Sequence, residues 1–281
     1  MIDRSRWFVP TDWLATHLDD PDVAIVDGSW HLPGTRDAKA EYAAAHIPGA
    51  VFFDIDAVSD TSNPLPHMLP TPAQFAEAVG ALGIDETQKI VVYDSVGLSS
   101  APRVWWTFRI MGARDVVILG GGLPKWVAEG RSITDAAVSR PPRTFHADPK
   151  PDAVRDLAAV RANLGVGAFQ LVDARPRARF LGAAPEPRAW VRPGRIPGSF
   201  SLPSTELVTD GTLGDDAALR SAIAAAGIDL AKPVVTSCGS GVTAATLTLA
   251  LDVLGVPSAL YDGSWTEWGG RDDTPIATGA D

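Results

Sequence analysis

The feature that most constrains this chain is that it is written twice. Ile25-Val26-Asp27 returns as Leu171-Val172-Asp173, and each copy is followed at a distance by Ile-Pro-Gly, at Ile47-Pro48-Gly49 and Ile196-Pro197-Gly198. Further blocks recur in the same order. Ile90-Val91-Val92-Tyr93-Asp94-Ser95 matches Pro233-Val234-Val235-Thr236-Ser237-Cys238, Gly112 matches Gly255, and Trp126 matches Trp268 after a slip of one residue. In this alignment Ser95 stands opposite Cys238, and Val96-Gly97-Leu98-Ser99 lacks the second copy's glycine spacing, so only the second copy can do thiol chemistry. Within each copy short β-branched runs alternate with helical stretches, which predicts parallel strands joined by crossover helices. Helix punctuation agrees: Thr71 caps a helix with Pro72 in its first turn and Gly83 past its end, while Asp215 or Asp216 opens one that stops at Gly227. Residues 140–151 contain four prolines and little periodicity. They read as the linker, which divides the chain into 1–147 and 148–281.

At 281 residues and 46% hydrophobic content the chain is long enough for about two domains with a substantial core. The lone cysteine excludes an internal disulfide, and five scattered histidines give no cluster at metal-ligand spacing, so no metal is expected. No apolar run approaches the ~18 residues of a membrane span, and Met1-Ile2-Asp3-Arg4 has no apolar signal core; a cytoplasmic protein is expected. The net charge of −10 argues against nucleic acid or an anionic membrane as partner.

By residue type alone, a single cysteine is more often a small buried hydrophobe than a nucleophile. Its setting argues otherwise. Cys238 lies between the β-branched Val234-Val235-Thr236 and the helical run that starts near Ala244, in the loop Cys238-Gly239-Ser240-Gly241-Val242-Thr243. Gly239 and Gly241 let successive backbone N–H groups turn inward, and the following helix directs its positive end the same way, so an anion at sulfur is favoured. A local reversal of charge supports an anionic substrate: Arg175, Arg177, Arg179, Arg188, Arg192 and Arg195 face only Glu186 within residues 175–195. Guanidinium groups grip carboxylates in pairs; the competing reading is a solvated basic loop.

These residues resemble the tandem-domain rhodanese superfamily over nearly the whole chain. The loop from Cys238 to Ala244 is similar to that of its mercaptopyruvate-using sulfurtransferase branch. Other matching motifs are His46-Ile47-Pro48-Gly49-Ala50, Phe52-Phe53-Asp54-Ile55-Asp56, His67-Met68-Leu69-Pro70, Ser100-Ala101-Pro102-Arg103-Val104-Trp105-Trp106 and Tyr261-Asp262-Gly263-Ser264-Trp265-Thr266-Glu267-Trp268. The resemblance implies an α/β chain of two rhodanese-like domains, each a mainly parallel sheet with helices on both faces. It also implies an enzyme that moves sulfane sulfur from 3-mercaptopyruvate through a Cys238 persulfide to a thiol, thioredoxin being the family's suggestion, or to cyanide, without a cofactor. Arg179 and Arg188 match the family's substrate arginines, Gly239, Gly241, Val242 and Thr243 its sulfur-binding loop, and Ser240, His67 and Asp56 its proton relay. Taken singly, a histidine in a proline-rich loop is more often a surface residue, and an aspartate at position 56 equally suits a turn cap.

The thiosulfate-using branch typically places Arg and Lys after the cysteine, where this chain has neutral Gly239 and Ser240; thiosulfate remains the alternative donor. A persulfide carrier or binding module without a donor of its own is the alternative from another class. Phosphatase relatives keep an arginine near the end of the loop, which runs here into Val242-Thr243-Ala244-Ala245. Two departures from the family pattern are Arg195 before Ile196-Pro197-Gly198, read as an extension of the basic patch, and Gly120-Gly121-Gly122 in place of Asp-Gly-Gly. Trp105, Trp106, Trp265 and Trp268 are read as packing residues.

Overall fold

The computed structural model describes residues 2–279. In the first half, strands β1 (Phe8–Val9), β2 (Val23–Asp27), β3 (Val51–Phe52), β4 (Lys89–Tyr93) and β5 (Asp115–Leu119) alternate with helices α1 (Thr11–Ala15), α2 (Ala38–Ala44), α3 (Pro72–Ala81), α4 (Ala101–Ile110) and α5 (Gly122–Ala128). In the second half, β6 (Val154–Arg155), β7 (Gln170–Asp173), β8 (Phe200–Ser201), β11 (Val234–Ser237) and β12 (Ser258–Tyr261) repeat the pattern with α6 (Leu157–Val166), α7 (Arg177–Phe180), α8 (Asp216–Ala225), α9 (Ala244–Val253) and α10 (Ser264–Gly269). A hairpin of β9 (Val208–Thr209) and β10 (Thr212–Leu213) is added between β8 and α8. The sheets run β1-β5-β4-β2-β3 and β6-β12-β11-β7-β8, every pairing parallel. Central strands buried on both faces require near-continuous apolar runs, which Ala24-Ile25-Val26 and Ile90-Val91-Val92 supply.

Capping is as the sequence predicts. Thr71 and Gln74 form a reciprocal capping box on α3, Asp215 caps α8, and Gly83 and Gly227 take left-handed φ values of 76° and 78° just beyond those helices. The proline-rich segment is more than a tether. Phe145 is buried against Phe75 and Phe108, and the N–H groups of Arg143, Asp148 and Lys150 bond to carbonyls of Gly80, Met111 and Ile110, so this stretch is strapped along the first half.

Strand alternation sends Ala24, Val26, Ile90, Val92 and Ile118 to one face of the first sheet, and Val172, Val234 and Leu260 to the corresponding face of the second. All belong to one continuous apolar core, closed where α4 packs on α9. The outer faces have cores of their own, around Ile25, Val91 and Trp126 in one half and Leu171, Val235 and Trp268 in the other.

Strand register corrects the alignment of the two copies. Asp27 pairs with Tyr93 as Asp173 pairs with Ser237, so the residue that follows β4, Asp94, is the counterpart of Cys238, and Ser95 is not. Backbone bonding agrees: Leu123 N–H donates to Asp94 O as Trp265 N–H donates to Cys238 O. The loop from 94 to 100 is one residue longer than that from 238 to 243, which shifts an ungapped alignment by one position.

Candidate active site

β11 ends at Ser237 and delivers Cys238 to the carboxyl edge of its sheet, 2% exposed. Its own N–H donates to Ser264 Oγ at 3.2 Å; that hydroxyl donates to Tyr261 O, and Ser264 holds a left-handed φ of 51°. Among the described residues, no group of the chain accepts the backbone N–H of Gly239, Ser240, Gly241, Val242 or Thr243. Five successive donors left without an acceptor beside a thiol are what an anion-binding nest requires.

A cleft of about 270 Å³ opens over this loop. Cys238, Gly239, Ser240, Val242, Thr243, Arg179 and Arg188 line it from the second half, with Trp30, Leu32 and Ser99 of the first half opposite. Gly241 alone of the expected loop residues is off the wall. It turns the chain at φ 79°, and a Cβ there would lie 2.6 Å from Arg103 Nη1, so glycine is required. A larger, more open hollow of about 610 Å³ lies on the first half around His31, Arg36 and Asp54, without a thiol.

The arginine cluster separates into structural and open members. Arg175 is buried, bonds both oxygens of Asp173 and Glu186 Oε1, and stacks over Trp265 at 4.4 Å. Burial would lower its basicity, but Asp173 and Glu186 outweigh that and raise it. Arg179 shares Glu186 with it. Arg192 bonds carbonyls of Gly269 and Thr274, and Arg195 is buried beside Phe180 with Gly279 O as an acceptor. Arg195 therefore does not extend the basic patch; desolvation and carbonyl bonding make it a structural residue. Arg188 is the open one: no carboxylate or carbonyl of the described residues bonds it, and it lies on the cleft wall. Burial, then the positive charge of Arg179, pushes its basicity down from the ordinary arginine value, while Asp56 and Cys238 act in the opposite sense.

On the other side of Ser240 stands His67. Its Nδ1 is 2.9 Å from Ser240 Oγ, and its Nε2 is 2.9 Å from Asp56 Oδ1. Asp56, ionised, can only accept, so Nε2 carries a proton and Nδ1 accepts from the hydroxyl when the ring is neutral. The hydrogen bond from His67 is the largest influence holding the Asp56 carboxyl below its ordinary range, outweighing burial; Trp30 and Arg188 add to it. His67 is buried, with a left-handed φ of 62°. The local turn is capped by Asp54, whose carboxylate accepts the N–H groups of Asp56 and Ala57, while the Asp56 carbonyl accepts from Ser59 Oγ.

Sequence reasoning missed Trp30, whose indole N–H donates to Asp56 Oδ2 at 3.1 Å and whose ring meets His67 edge-on at 4.7 Å. It also gave no role to Glu186, which binds two of the arginines. Trp105, Trp106, Trp265 and Trp268 are buried in the cores and line no part of the cleft, as packing predicts. Among the described residues, no group of three or more His, Cys, Asp or Glu could hold a metal ion, and no helix is long and apolar enough to cross a membrane.

A doubled parallel α/β unit with a thiol at a strand end under open backbone donors is the architecture of one protein class. The rhodanese-like domain family matches residues 10–129 and again 156–271, and the chain belongs to that family. It is a sulfurtransferase of that family. It is 46% identical to 3-mercaptopyruvate sulfurtransferase of Escherichia coli, over 97% of this chain and 98% of that one. It is also 42% identical to thiosulfate sulfurtransferase of Bos taurus, over 94% and 92%. The crystal structure of SseA from Escherichia coli superposes with a TM-score of 0.86 at 45% identity, covering 93% of this chain and 99% of that one.

Proposed function

We propose that the enzyme takes sulfur from 3-mercaptopyruvate onto Cys238 and passes it to a thiol or to cyanide, with residues 1–147 forming a half without nucleophile and 148–281 the catalytic half. The observation that carries this reading is the run of five unaccepted N–H groups after Cys238, in a loop beside a cleft whose one unbound cation among the described residues is Arg188. The Cys238 thiolate attacks the substrate sulfur, the carbon–sulfur bond breaks, and its electron pair leaves on pyruvate as an enolate. The N–H nest stabilises charge on both sulfurs, as preorganised dipoles do for a developing anion. Arg188 and Arg179 take the carboxylate. Because Glu186 already occupies much of Arg179, Arg188 supplies most of the attraction.

The enolate must gain a proton to leave as pyruvate. Ser240 Oγ delivers it and regains one from Nδ1 of His67, whose ring enters this step charged and leaves it neutral, Asp56 holding Nε2 throughout. A thiolate acceptor then attacks the outer sulfur and leaves Cys238 as thiolate again, so no electrons are gained or lost overall and no redox metal is required. Thioredoxin-like dithiols fit as acceptors, and the cytoplasm, where thiols stay reduced, fits as the compartment.

Intact mass after exposure to each donor tests the proposal. Mercaptopyruvate adds the mass of one sulfur atom to the wild type and none to Cys238→Ser; an unchanged wild-type mass would sink it. Thiosulfate is the second reading, favoured by the similarity to the Bos taurus thiosulfate enzyme. It prevails if thiosulfate loads the protein faster than mercaptopyruvate at equal concentration.

A further inference from the structure

Beside the His67–Ser240 contact, a second pair of buried side chains joins the two halves: Arg103, on α4 of the first half, and Asp262, just after β12 of the second. Their ion pair spans 2.8 Å, with side chains 4% and 6% exposed. Each makes a second contact on the far side. Arg103 Nη2 also donates to His67 O at 2.7 Å, and its Nη1 reaches Gly241 O at 3.4 Å; Asp262 Oδ2 accepts Leu69 N–H at 2.7 Å. Thus the pair holds the backbone of residues 67 and 69 on one side and the cysteine loop on the other. His67, at its positive φ, is anchored just where its ring meets Ser240. Trp106 lies under the guanidinium at 4.8 Å, which limits the positions Arg103 can take.

The internal repeat supplies a control. Helix ends place Thr246 of α9 opposite Arg103, since Gly112 and Gly255 close the two helices alike. Strand register places Gly120 opposite Asp262, since Ile118 pairs with Val92 as Leu260 pairs with Thr236. The mirror-image contact would join Thr246 to position 120 beside the Asp94 loop, and it does not exist. Thr246 Oγ1 is buried with no hydrogen-bond partner among the described residues, and Gly120 has no side chain. Sterics do not force that absence, because a Cβ on Gly120 would meet only Val9 O, at 3.6 Å. The ion pair is present on the side with the thiol and missing on the side without it.

We propose that Arg103 and Asp262 are positioning residues for sulfur transfer: their buried pair fixes the first half's His67 against the second half's Ser240. This rests on the proton-relay reading given above. Breaking only one partner leaves a lone buried charge, which threatens folding by itself, so the decisive variant is neutral at both places, Arg103→Met with Asp262→Asn. With mercaptopyruvate and cyanide, this double variant is expected to keep KM within about threefold while kcat falls at least about tenfold, because ground-state binding at Arg188 is untouched. Arg103→Lys, which retains charge but cannot fork to two partners, should recover part of kcat.

Two further measurements separate positioning from mere stabilisation. On a His67→Ala background the double neutral variant should lower kcat by no more than about twofold, since effects that pass through one group do not multiply. The ring ¹⁵N shifts of His67 should show one fixed tautomer in the wild type and averaging in the double neutral variant. Full losses that multiply with His67→Ala, or wild-type ring shifts in the double neutral variant, overturn the proposal. If His67→Ala alone leaves kcat unchanged, the relay reading fails, and the ring shifts then decide whether the pair still positions the imidazole.

Discussion

Asp94 and Cys238 leave equivalent strands at the same point, and a run of backbone donors follows each, yet the two halves use those donors in opposite ways. In the first half the buried Asp94 carboxylate accepts from Val96 and Gly97 on one oxygen and from Ser99, Ser100 and Ala101 on the other, at 2.7–2.9 Å. In the second half the corresponding donors have no acceptor among the described residues. The same anion-binding loop is thus saturated by its own carboxylate in one copy and left open to an incoming anion in the other. The first is closed over as well: Gly211, at the turn between β9 and β10, packs on Gly97 so closely that a Cβ on Gly97 would lie 2.6 Å from the Gly211 Cα. A structural loop and a reactive loop differ here by which group is charged and where the charge comes from.

The contrast is best attacked at its centre. Replacing Cys238 by Asp should convert the reactive loop into a copy of the silent one: turnover is expected to fall by on the order of 10⁴-fold or more, as when a nucleophile is removed, and sulfur loading should vanish from the mass spectrum. Residual loading would mean the sulfur sits elsewhere. Next comes the open cation. Arg188→Ala should raise KM for mercaptopyruvate by roughly 30-fold, the equivalent of about 2 kcal/mol from charge-assisted hydrogen bonds, and change KM for thiosulfate by less than about threefold. Equal changes for both donors in steady-state assays would refute the carboxylate clamp.

The silent loop offers the reverse experiment. Asp94→Asn sets an NH₂ group against backbone donors that now find a carboxylate oxygen, and should cost about 2–4 kcal/mol in denaturant unfolding while activity per folded molecule stays within about twofold. A stable but inactive Asp94→Asn protein would show that the two loops are not independent. The smallest effect concerns pH. The folded-state pKa of Asp56 is depressed, so the stabilisation from its contact with His67 is fully present above the ordinary carboxylate value near ~3.9 and is lost as pH falls through the lower folded value. Between about pH 5 and 8 it stays ionised, and Asp56→Asn should lower kcat by a similar few-fold factor at every pH in that window; a loss confined to one end of the range would contradict it.

The parallel sheets, the caps at Thr71 and Asp215 and the thiol loop were legible because each follows from local pattern: period, capping chemistry, glycine spacing. The arginines were legible only as a group. Which of them is satisfied depends on Asp173, lying two residues before the cluster begins, and on Glu186, whose two oxygens divide between Arg175 and Arg179; neither can be weighed without geometry. The counterpart of Cys238 was misjudged because a single extra residue lies inside a loop, where no hydrophobic period marks it. Arg103 and Asp262 both stood inside recognised motifs without a role, since the two lie 159 residues apart in the chain. Trp30 gave no signal at all: an isolated indole acquires meaning only from the carboxylate it touches.

The apolar interior that runs unbroken from Val26 and Val92 across to Val172 and Leu260 has its seam where Val104 of one helix and Leu247 and Ala250 of the other belong to a single hydrocarbon mass. Neither half has a finished surface there. Cut apart, each would show water a greasy flank rather than a closed shape, so the duplicated unit is no longer two proteins on a string but one object, expected to melt in a single calorimetric transition.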